Sequence, residues 1–574
     1  MFINISKEEK MFNKRNLTVF AFLALLVMVV TVFGGWMAHK TDTAKPDYYF
    51  AISKNISVFG KVYEEITKRY VEVIDPEKFM RAGIYGMMKT LDPYTVFIEK
   101  EANDELQIMT HGKYGGVGMR ISKRDDWPAV IEPPFEGTPA ERAGIREGDL
   151  IIAVDSVSTE DLSISETANR LRGKPGTAVY VKIRRVGEEK PLEFRLIRAE
   201  IKVEEITYSG LIEDNIGYIR LAHFSRNVGN QIYNSIADLK KEGMEALILD
   251  LRGNPGGLLE SAVSVADNFV EKGQMIVSTR GKLEGTSQEY RAKVDPIWGT
   301  EPLVVLVDTV SASASEIVAG ALQDLDRAVV IGNPTFGKGL VQTVIPISKE
   351  TALKVTTAKY YIPSGRLIQK PNAFEDKEVL LTSFEKEQDS TLNFETLKGR
   401  KVTGGGGIIP DIVIKTKHLP LIVRHMIMKS MFFNYSLEYA ATNKELERDF
   451  EVDHTMINNF KKFLKEKDFD YNTAGEEELK VFKDIAKEKG YLEQAELAFE
   501  ELQEIIEKRK EQDFDEAKDF IKLYLKKEIA GKFWGTAAKV EAGIEVSEEV
   551  QKAIEVLSDQ NEYYAILNNN ANLN

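Results

Sequence analysis

The sequence predicts a multidomain α/β protein, with a β-rich segment ahead of an α/β core and helical regions on both flanks. Three observations carry that expectation. A chain of 574 residues is longer than a single hydrophobic core supports. Apolar runs at 217–221, 246–251, 303–307 and 328–331 alternate with helical stretches, the texture of buried strands and crossover helices. On either side of residues 201–415 the texture changes, to short β-branched runs upstream and to helix-spaced Lys, Glu and Leu downstream.

The elements follow in order. Residues 17–37 carry no charge, and about 20 apolar residues in a helix span a bilayer. Lys14 and Arg15 just before them place the N-terminal side in the cytoplasm. Residues 1–40 therefore read as a cytoplasmic stub and a signal anchor, a transmembrane helix in the inner (cell) membrane. Everything after Lys40 is then periplasmic. The competing reading is a signal peptide cleaved to release the protein to the periplasm; the long apolar run and the lack of an A-x-A site favour the anchor.

Residues 45–104 form a helical N-terminal region, with Ile56, Phe59, Val62, Ile66 and Tyr70 at three- and four-residue steps. A turn at Leu91-Asp92-Pro93-Tyr94-Thr95 ends the helical pattern. Residues 105–200 are β-rich, with runs at 129–131, 150–154 and 178–183 between Gly, Pro and Asp turns. Residues 201–417 are the α/β core. Residues 418–574 form a helical C-terminal domain ending in an Asn-rich tail. This charged appendage reads as a packing or partner module without chemistry of its own.

Composition removes several functions. Formal net charge is −14, which argues against nucleic acid as a partner. The chain has no cysteine, so disulfides, thiolate zinc sites and a Cys nucleophile are excluded. Its six histidines show no HExxH-like spacing, and no metal or other cofactor is expected.

Two segments carry chemistry. In Asp308-Thr309-Val310-Ser311-Ala312-Ser313-Ala314-Ser315-Glu316, a buried strand runs through small residues into a helix. A serine there sits at a helix N-terminus, where free N–H groups stabilise an anion, although a plain Ser-rich N-cap has the same appearance. In Phe336-Gly337-Lys338-Gly339-Leu340-Val341-Gln342, a lone lysine lies between glycines beside apolar residues. Burial lowers a lysine pKa, and a neutral amine can take a serine proton. Gln342, four residues on, falls on the same side of either a helix or a strand and is a candidate to orient the amine.

A third segment is Tyr114-Gly115-Gly116-Val117-Gly118-Met119, a turn whose backbone N–H groups suit a carboxylate. Residues 137–151 follow as Gly-Thr-Pro-Ala-Glu-Arg-Ala-Gly-Ile-Arg-Glu-Gly-Asp-Leu-Ile. This stretch resembles PDZ domains over roughly ninety residues. The resemblance implies a groove that takes a peptide C-terminus as an added strand, walled by a helix over 163–171. Gly115, Gly116, Val117 and Gly118 would bind the peptide, and Arg172 would touch either a carboxylate or the neighbouring domain.

Together these motifs resemble the carboxyl-terminal processing peptidases, or tail-specific proteases. The match runs from about residue 50 to 415 and includes Leu91-Asp92-Pro93, the 249–257 segment and Tyr361-Ile362-Pro363-Ser364-Gly365-Arg366. The family's serine and lysine stand 25 residues apart, a spacing that selects Ser313 with Lys338 over Ser311 and Ser315, which local sequence does not distinguish. Tyr94 and Thr95 replace the commoner His-Ser after Leu-Asp-Pro, a change read as immaterial to the chemistry.

The resemblance implies a crotonase-like α/β protease core acting through an acyl-enzyme. Ser313, Lys338 and Gln342 are the catalytic set, and Gly257 and Ala314 donate the oxyanion-hole N–H groups. Asp250 and Asp324 either support the site or are structural. The expected activity is a serine-type endopeptidase that cuts proteins near C-termini captured by the PDZ domain. One alternative is a non-catalytic PDZ scaffold or chaperone; another is a Ser-His hydrolase dependent on His223. The expected partners are protein tails and, through 17–37, the membrane. Self-association as a homo-oligomer stays open.

Overall fold

A computed structural model describes residues 46–99, 112–124, 126–203, 205–348, 351–370, 393–415, 419–473 and 475–568. The predicted anchor at 17–37 and the end of the Asn-rich tail lie outside them. Among the described residues no helix is long and apolar enough to cross a membrane.

The chain divides into two compact units, Met1–Gly86 and Met87–Asn574. In the first, the helix Pro46–Arg69 and the start of the helix Pro76–Lys89 are joined by Tyr63. Its hydroxyl donates to Pro76 O at 2.7 Å and its ring stacks on Phe79 at 5.6 Å. The helix-spaced apolar positions are uncovered: Ile56 is 66% exposed and Val62 51%.

The second unit opens on a difference from expectation. Residues just after the Leu91–Thr95 turn are a strand, Val96–Ile98, antiparallel to Ala352–Tyr361. The β-rich segment then folds as a five-strand path with one extra strand, beginning at Ile121–Arg124 and ending at Leu192–Ile197. Among the described residues Ile121–Arg124 pairs only with Trp127–Val130, so no described strand covers its other edge. The helix Ile164–Leu171 is closed at its start by a Ser163/Glu166 capping box. The strands Lys113–Gly116 and Ala199–Lys202 pair and join this module to the core.

The core is a six-stranded sheet in the order Ile206–Ile212, Ile216–Leu221, Ala246–Asp250, Leu303–Val307, Val329–Gly332, Ile412–Val413. The first pair is antiparallel and the rest are parallel. Central parallel strands buried on both faces lose the polar alternation of half-exposed strands, which explains their continuous apolar runs. Leu247, Leu249, Val305 and Val330 face one core with the helices Val228–Lys241, Leu259–Ala266 and Ala314–Asp324. Ile248, Val304, Leu306 and Ile331 face the other, covered by Val540, Val550, Ala553 and Tyr563 of the C-terminal helices. The helical C-terminal domain thus completes the burial of the core sheet. A second sheet holds Leu340–Pro346 against Ala352–Tyr361 and sets the register of the lysine loop.

Candidate active site

The strand Leu303–Val307 delivers the chain into a turn pinned by short polar contacts. Asp308 accepts from Val310 N at 2.9 Å and from Gly253 N at 3.0 Å, joining this turn to the 251–257 loop. Ser311 and Ser315 are fully buried; their hydroxyls donate to Leu251 O at 2.8 Å and Asn254 O at 2.9 Å. Ser313 differs from both. It is half-buried, its hydroxyl donates to no acceptor among the described residues, and its backbone sits at φ 55°, ψ −111°. A side chain in that region is strained by about 1–3 kcal/mol, and the surrounding contacts hold it there.

The lysine loop shares an anchor with the serine. Glu316, wholly buried three residues into the helix, accepts from Ser313 N at 2.8 Å and Lys338 N at 2.9 Å. It also accepts from Gly337 N at 2.7 Å and the Thr335 hydroxyl at 2.6 Å. Burial pushes this carboxyl upward while the four donors pull it down. Tyr360, also buried, donates to Ser313 O at 3.2 Å and to Lys338 O. One carboxylate and one phenol therefore fix both loops to each other.

Lys338 is half-buried, and its ammonium nitrogen has no hydrogen bond or ion pair among the described residues. Burial, then Lys354, hold its pKa below the usual lysine range, against Asp92 and Glu316. The nitrogen lies 4.5 Å from the centre of the Tyr94 ring.

The loop that carries Gly257 approaches the turn that carries Ser313 and Ala314. The N–H groups of Gly257 and Ala314 have no acceptor among the described residues. A Cβ on Gly256 would stand 2.9 Å from Ala314 N and 3.0 Å from Ser313 Cβ, so the glycine loop lies directly against the Ser313 turn.

The remaining predicted residues are placed differently. Gln342 lies on the strand Leu340–Pro346, and its amide reaches Leu340 O at 3.5 Å rather than Lys338. A bulge between Val341 and Gln342 breaks the simple i, i+4 relation to the lysine. Asp250 is buried against Arg252 at 2.8 Å and the Tyr218 hydroxyl; against the upward push of burial, Arg252 holds it below its ordinary pKa. Asp324 pairs with Arg366 at 2.7 Å, also buried. Each aspartate is thus buried with an arginine partner. His223 is half-buried with its pKa lowered by burial and by Arg120, and no carboxylate partners it among the described residues.

Sequence reasoning missed Glu316, Tyr360 and Tyr94. Glu316 had a signal, because Ser313-x-x-Glu316 has capping-box spacing. Tyr360 had none, since sheet pairing brings it in from distant sequence; Tyr94 stood out in its motif, but its approach to Lys338 did not.

In the β-rich module, a groove of about 310 Å³ lies between Met119–Ile121 on one side and Ile164, Ala168 and Leu171 on the other. Gly116, Val117 and Arg172 line it. The N–H groups of Val117, Gly118 and Met119 have no acceptor among the described residues. Arg172 sits 5.7 Å over the Tyr114 ring at the groove's end. Gly115 and Gly118 are structural neighbours of the groove. Gly115 is in the Lys113–Gly116 ladder, with its carbonyl accepting from Gly173 N, and Gly118 turns the chain at φ 84° against Thr138.

Four family models match in chain order: the N-terminal domain of the activating protease CtpB at 36–102, a PDZ domain at 130–185, peptidase family S41 at 215–379, and the C-terminal helical domain of probable PDZ-proteases at 422–557. A carboxy-terminal-processing protease of Bartonella bacilliformis is 38% identical over 320 residues, 55% of this chain and 73% of that protein. Carboxy-terminal processing protease CtpB of Bacillus subtilis is 34% identical across 55% of this chain and 66% of its own length. A carboxyl-terminal-processing protease of Synechocystis is 37% identical over 52% of this chain and 70% of that one. With a PDZ domain ahead of an S41 core and a relative this similar over most of its length, the chain belongs to the carboxy-terminal processing proteases, serine peptidases of family S41.

Proposed function

We propose that this protein cuts protein chains near their C-termini by a Ser–Lys mechanism, with the PDZ groove capturing the tail. The observation that carries this is the pairing at the site. A strained serine whose hydroxyl donates to no described residue and a half-buried lysine whose amine has no hydrogen bond or ion pair among the described residues are tied to the same buried carboxylate, Glu316. Ser313 Oγ attacks the scissile carbonyl as neutral Lys338 takes its proton, while Gly257 and Ala314 N–H groups receive the oxyanion. The Lys338 ammonium then protonates the leaving amine. Water, deprotonated by the same amine, attacks the acyl-enzyme and releases Ser313. Gln342 belongs to this set only if the bulged strand shifts toward Lys338 when substrate binds. The core sheet and its crossover helices support a crotonase-like assignment, with domain limits near 104, 200 and 417.

The edge of Ile121–Arg124 that no described strand covers and the N–H groups of Val117–Met119, without an acceptor among the described residues, support capture of a terminal carboxylate by strand addition. The uncharged run 17–37 after Lys14-Arg15 supports an inner-membrane anchor with the protease in the periplasm. The uncovered stripe on the helix Pro46–Arg69 supports self-association.

The mechanism is tested on purified protein with an unstructured substrate and a serine-reactive probe. Ser313→Ala should abolish both labelling and cleavage. Lys338→Arg should be as inactive as Lys338→Ala, because a guanidinium stays protonated at working pH. Since burial lowers the amine's pKa, kcat/KM of the wild type should rise with pH through that lowered value. A Lys338→Arg enzyme with most of its activity would remove the general-base role. For topology, N-terminal sequencing of membrane-extracted protein should show an uncleaved chain; a start near Lys40 on salt-washable protein would show a signal peptide instead.

A further inference from the structure

The turn at 91–95 is fastened at both ends. The Asp92 carboxylate accepts from Tyr94 N at 2.9 Å, Thr95 N at 3.0 Å and the Thr95 hydroxyl at 2.8 Å. The Thr95 hydroxyl in turn accepts from Thr356 N at 3.2 Å, and the next residues pair with the strand that carries Tyr360. The Tyr94 ring is thus held over the lysine by backbone geometry rather than by its own hydroxyl. Within this site Lys338 has no other partner for its amine among the described residues.

We propose that Tyr94 is a positioning residue for Lys338, its ring face fixing the amine and stabilising the ammonium formed when Lys338 takes the Ser313 proton. The inference rests on the Ser–Lys reading and adds the residue that controls where the lysine stands and how readily it holds a proton. The charged groups around the amine are Lys354 from the facing strand, Asp92 from the turn and Glu316 from the nucleophile helix, with Tyr360 neutral beneath the loop. None of them touches the amine. The ring does, and an aromatic face attracts a desolvated ammonium but not a neutral amine, so its effect falls on the protonated form. Such a contact favours the state that follows proton transfer, which is where catalysis gains.

The test compares Tyr94→Phe, Tyr94→Leu and Tyr94→Met in the full chain, with kcat and KM measured across pH and folding checked by thermal melting. Leu and Met should lower kcat about tenfold with KM little changed. They should also move the acid limb of kcat/KM down by about 0.5–1.5 pH units, because loss of the ring face disfavours the ammonium. Tyr94→Phe, which keeps the ring face, should recover most of the lost kcat and return the limb toward its original position. Two folded apolar variants with the wild-type pH limb would overturn the proposal. So would Tyr94→Phe as impaired as Tyr94→Leu, since the hydroxyl would then be the acting group. Lys338→Arg assayed in parallel separates the two levels: activity there sinks the Ser–Lys reading itself, whereas a dead Lys338→Arg beside an unshifted Tyr94→Leu sinks only the role of Tyr94.

Discussion

At Ser313 the backbone is held in a region that glycine occupies freely and other residues do not, φ 55° with ψ −111°. Asp308, Ser311, Ser315 and Glu316 keep it there through bonds to main-chain atoms on either side. If this strain belongs to the fold and not to the hydroxyl, Ser313→Gly should be more stable than Ser313→Ala by about 1 kcal/mol or more, both being inactive. Chemical denaturation of the two variants measures it, and equal stability would show a relaxed turn. Close contact makes a second residue-scale demand. A methyl at Gly256, where φ is 100°, would meet Ala312 O at 2.6 Å, so Gly256→Ala should cut kcat about 100-fold or more through a displaced oxyanion loop. A Gly256→Ala enzyme with wild-type kcat would mean the loop does not serve the transition state. The three serines of this turn look alike in sequence, and only folding separates them, by burying two hydroxyls on backbone carbonyls and leaving the third with no acceptor among the described residues. Tyr360 was illegible for a related reason: it reaches Ser313 from 47 residues away through a strand whose pairing no local pattern specifies.

At the scale of elements, the parallel strands were legible because both their faces are buried, and the helix after Ser163 because the PDZ resemblance implies one there. Val96–Ile98 was not, since three residues are too few to show a period of two. Nor was the bend in the long C-terminal helix Lys518–Ile544. Gly535, at φ 85° and ψ −173°, folds it back on itself, bringing Lys539 near Gly531 and Lys527 near Gly543. Lys539 finds Glu528 at 2.9 Å, whereas Lys527 has no ion pair among the described residues. Burial, with Arg220, Lys539 and Arg252 adding to it, lowers Lys527 to a pKa of about 8. An unfolded lysine titrates near ~10.4, so between these values the unfolded chain binds more protons and stability rises with pH. Below about 8 the buried charge destabilises fully. Lys527→Met should therefore raise stability at pH 7 by about 1–3 kcal/mol. That advantage should fade as pH climbs from 8 toward 10.5, where the wild-type lysine loses its charge. Denaturant melts of both proteins across that range test the sign, and a variant less stable than wild type at pH 7 would mean the ammonium has a partner the fold supplies.

Across the larger unit, the C-terminal helices grip the PDZ domain and the catalytic core together. Lys532 forms an ion pair with Glu147 of the PDZ domain, the two side chains only 4% and 8% exposed. Phe433 lies between that lysine at 3.7 Å and Arg124 of the PDZ domain at 4.6 Å, and Leu437 fills the space beside Gly148. On the core side, Glu549 and Ser547 hold Arg252 at 3.0 and 2.7 Å, and Arg252 braces Asp250 at the start of the glycine loop. The groove is thereby held at a set place relative to Ser313, and under the proposed tail capture that fixed place would raise the effective concentration of the nearby bond. Amidating a substrate's C-terminus removes a charge-assisted acceptor worth about 1.5–3 kcal/mol, so limiting-substrate cleavage should slow roughly 10- to 100-fold. Replacing terminal apolar residues by Asp should have a similar effect, because the groove wall of Ile121, Ile164, Ala168 and Leu171 is apolar. The joint variant Glu147→Gln with Lys532→Met avoids leaving either charge buried alone, which on its own costs about 3–5 kcal/mol. It should stay folded but release the PDZ domain from its support, shown by faster hydrogen exchange at the 146–149 turn. The preference for the free acid should then shrink several-fold while cleavage of an amidated substrate stays near its wild-type rate. Equal cleavage of free-acid and amidated substrates by the intact enzyme would end the tail-capture model and leave Ser313 and Lys338 untouched. A full preference in a joint variant whose PDZ contact has demonstrably loosened would instead show that capture needs the groove but not its support.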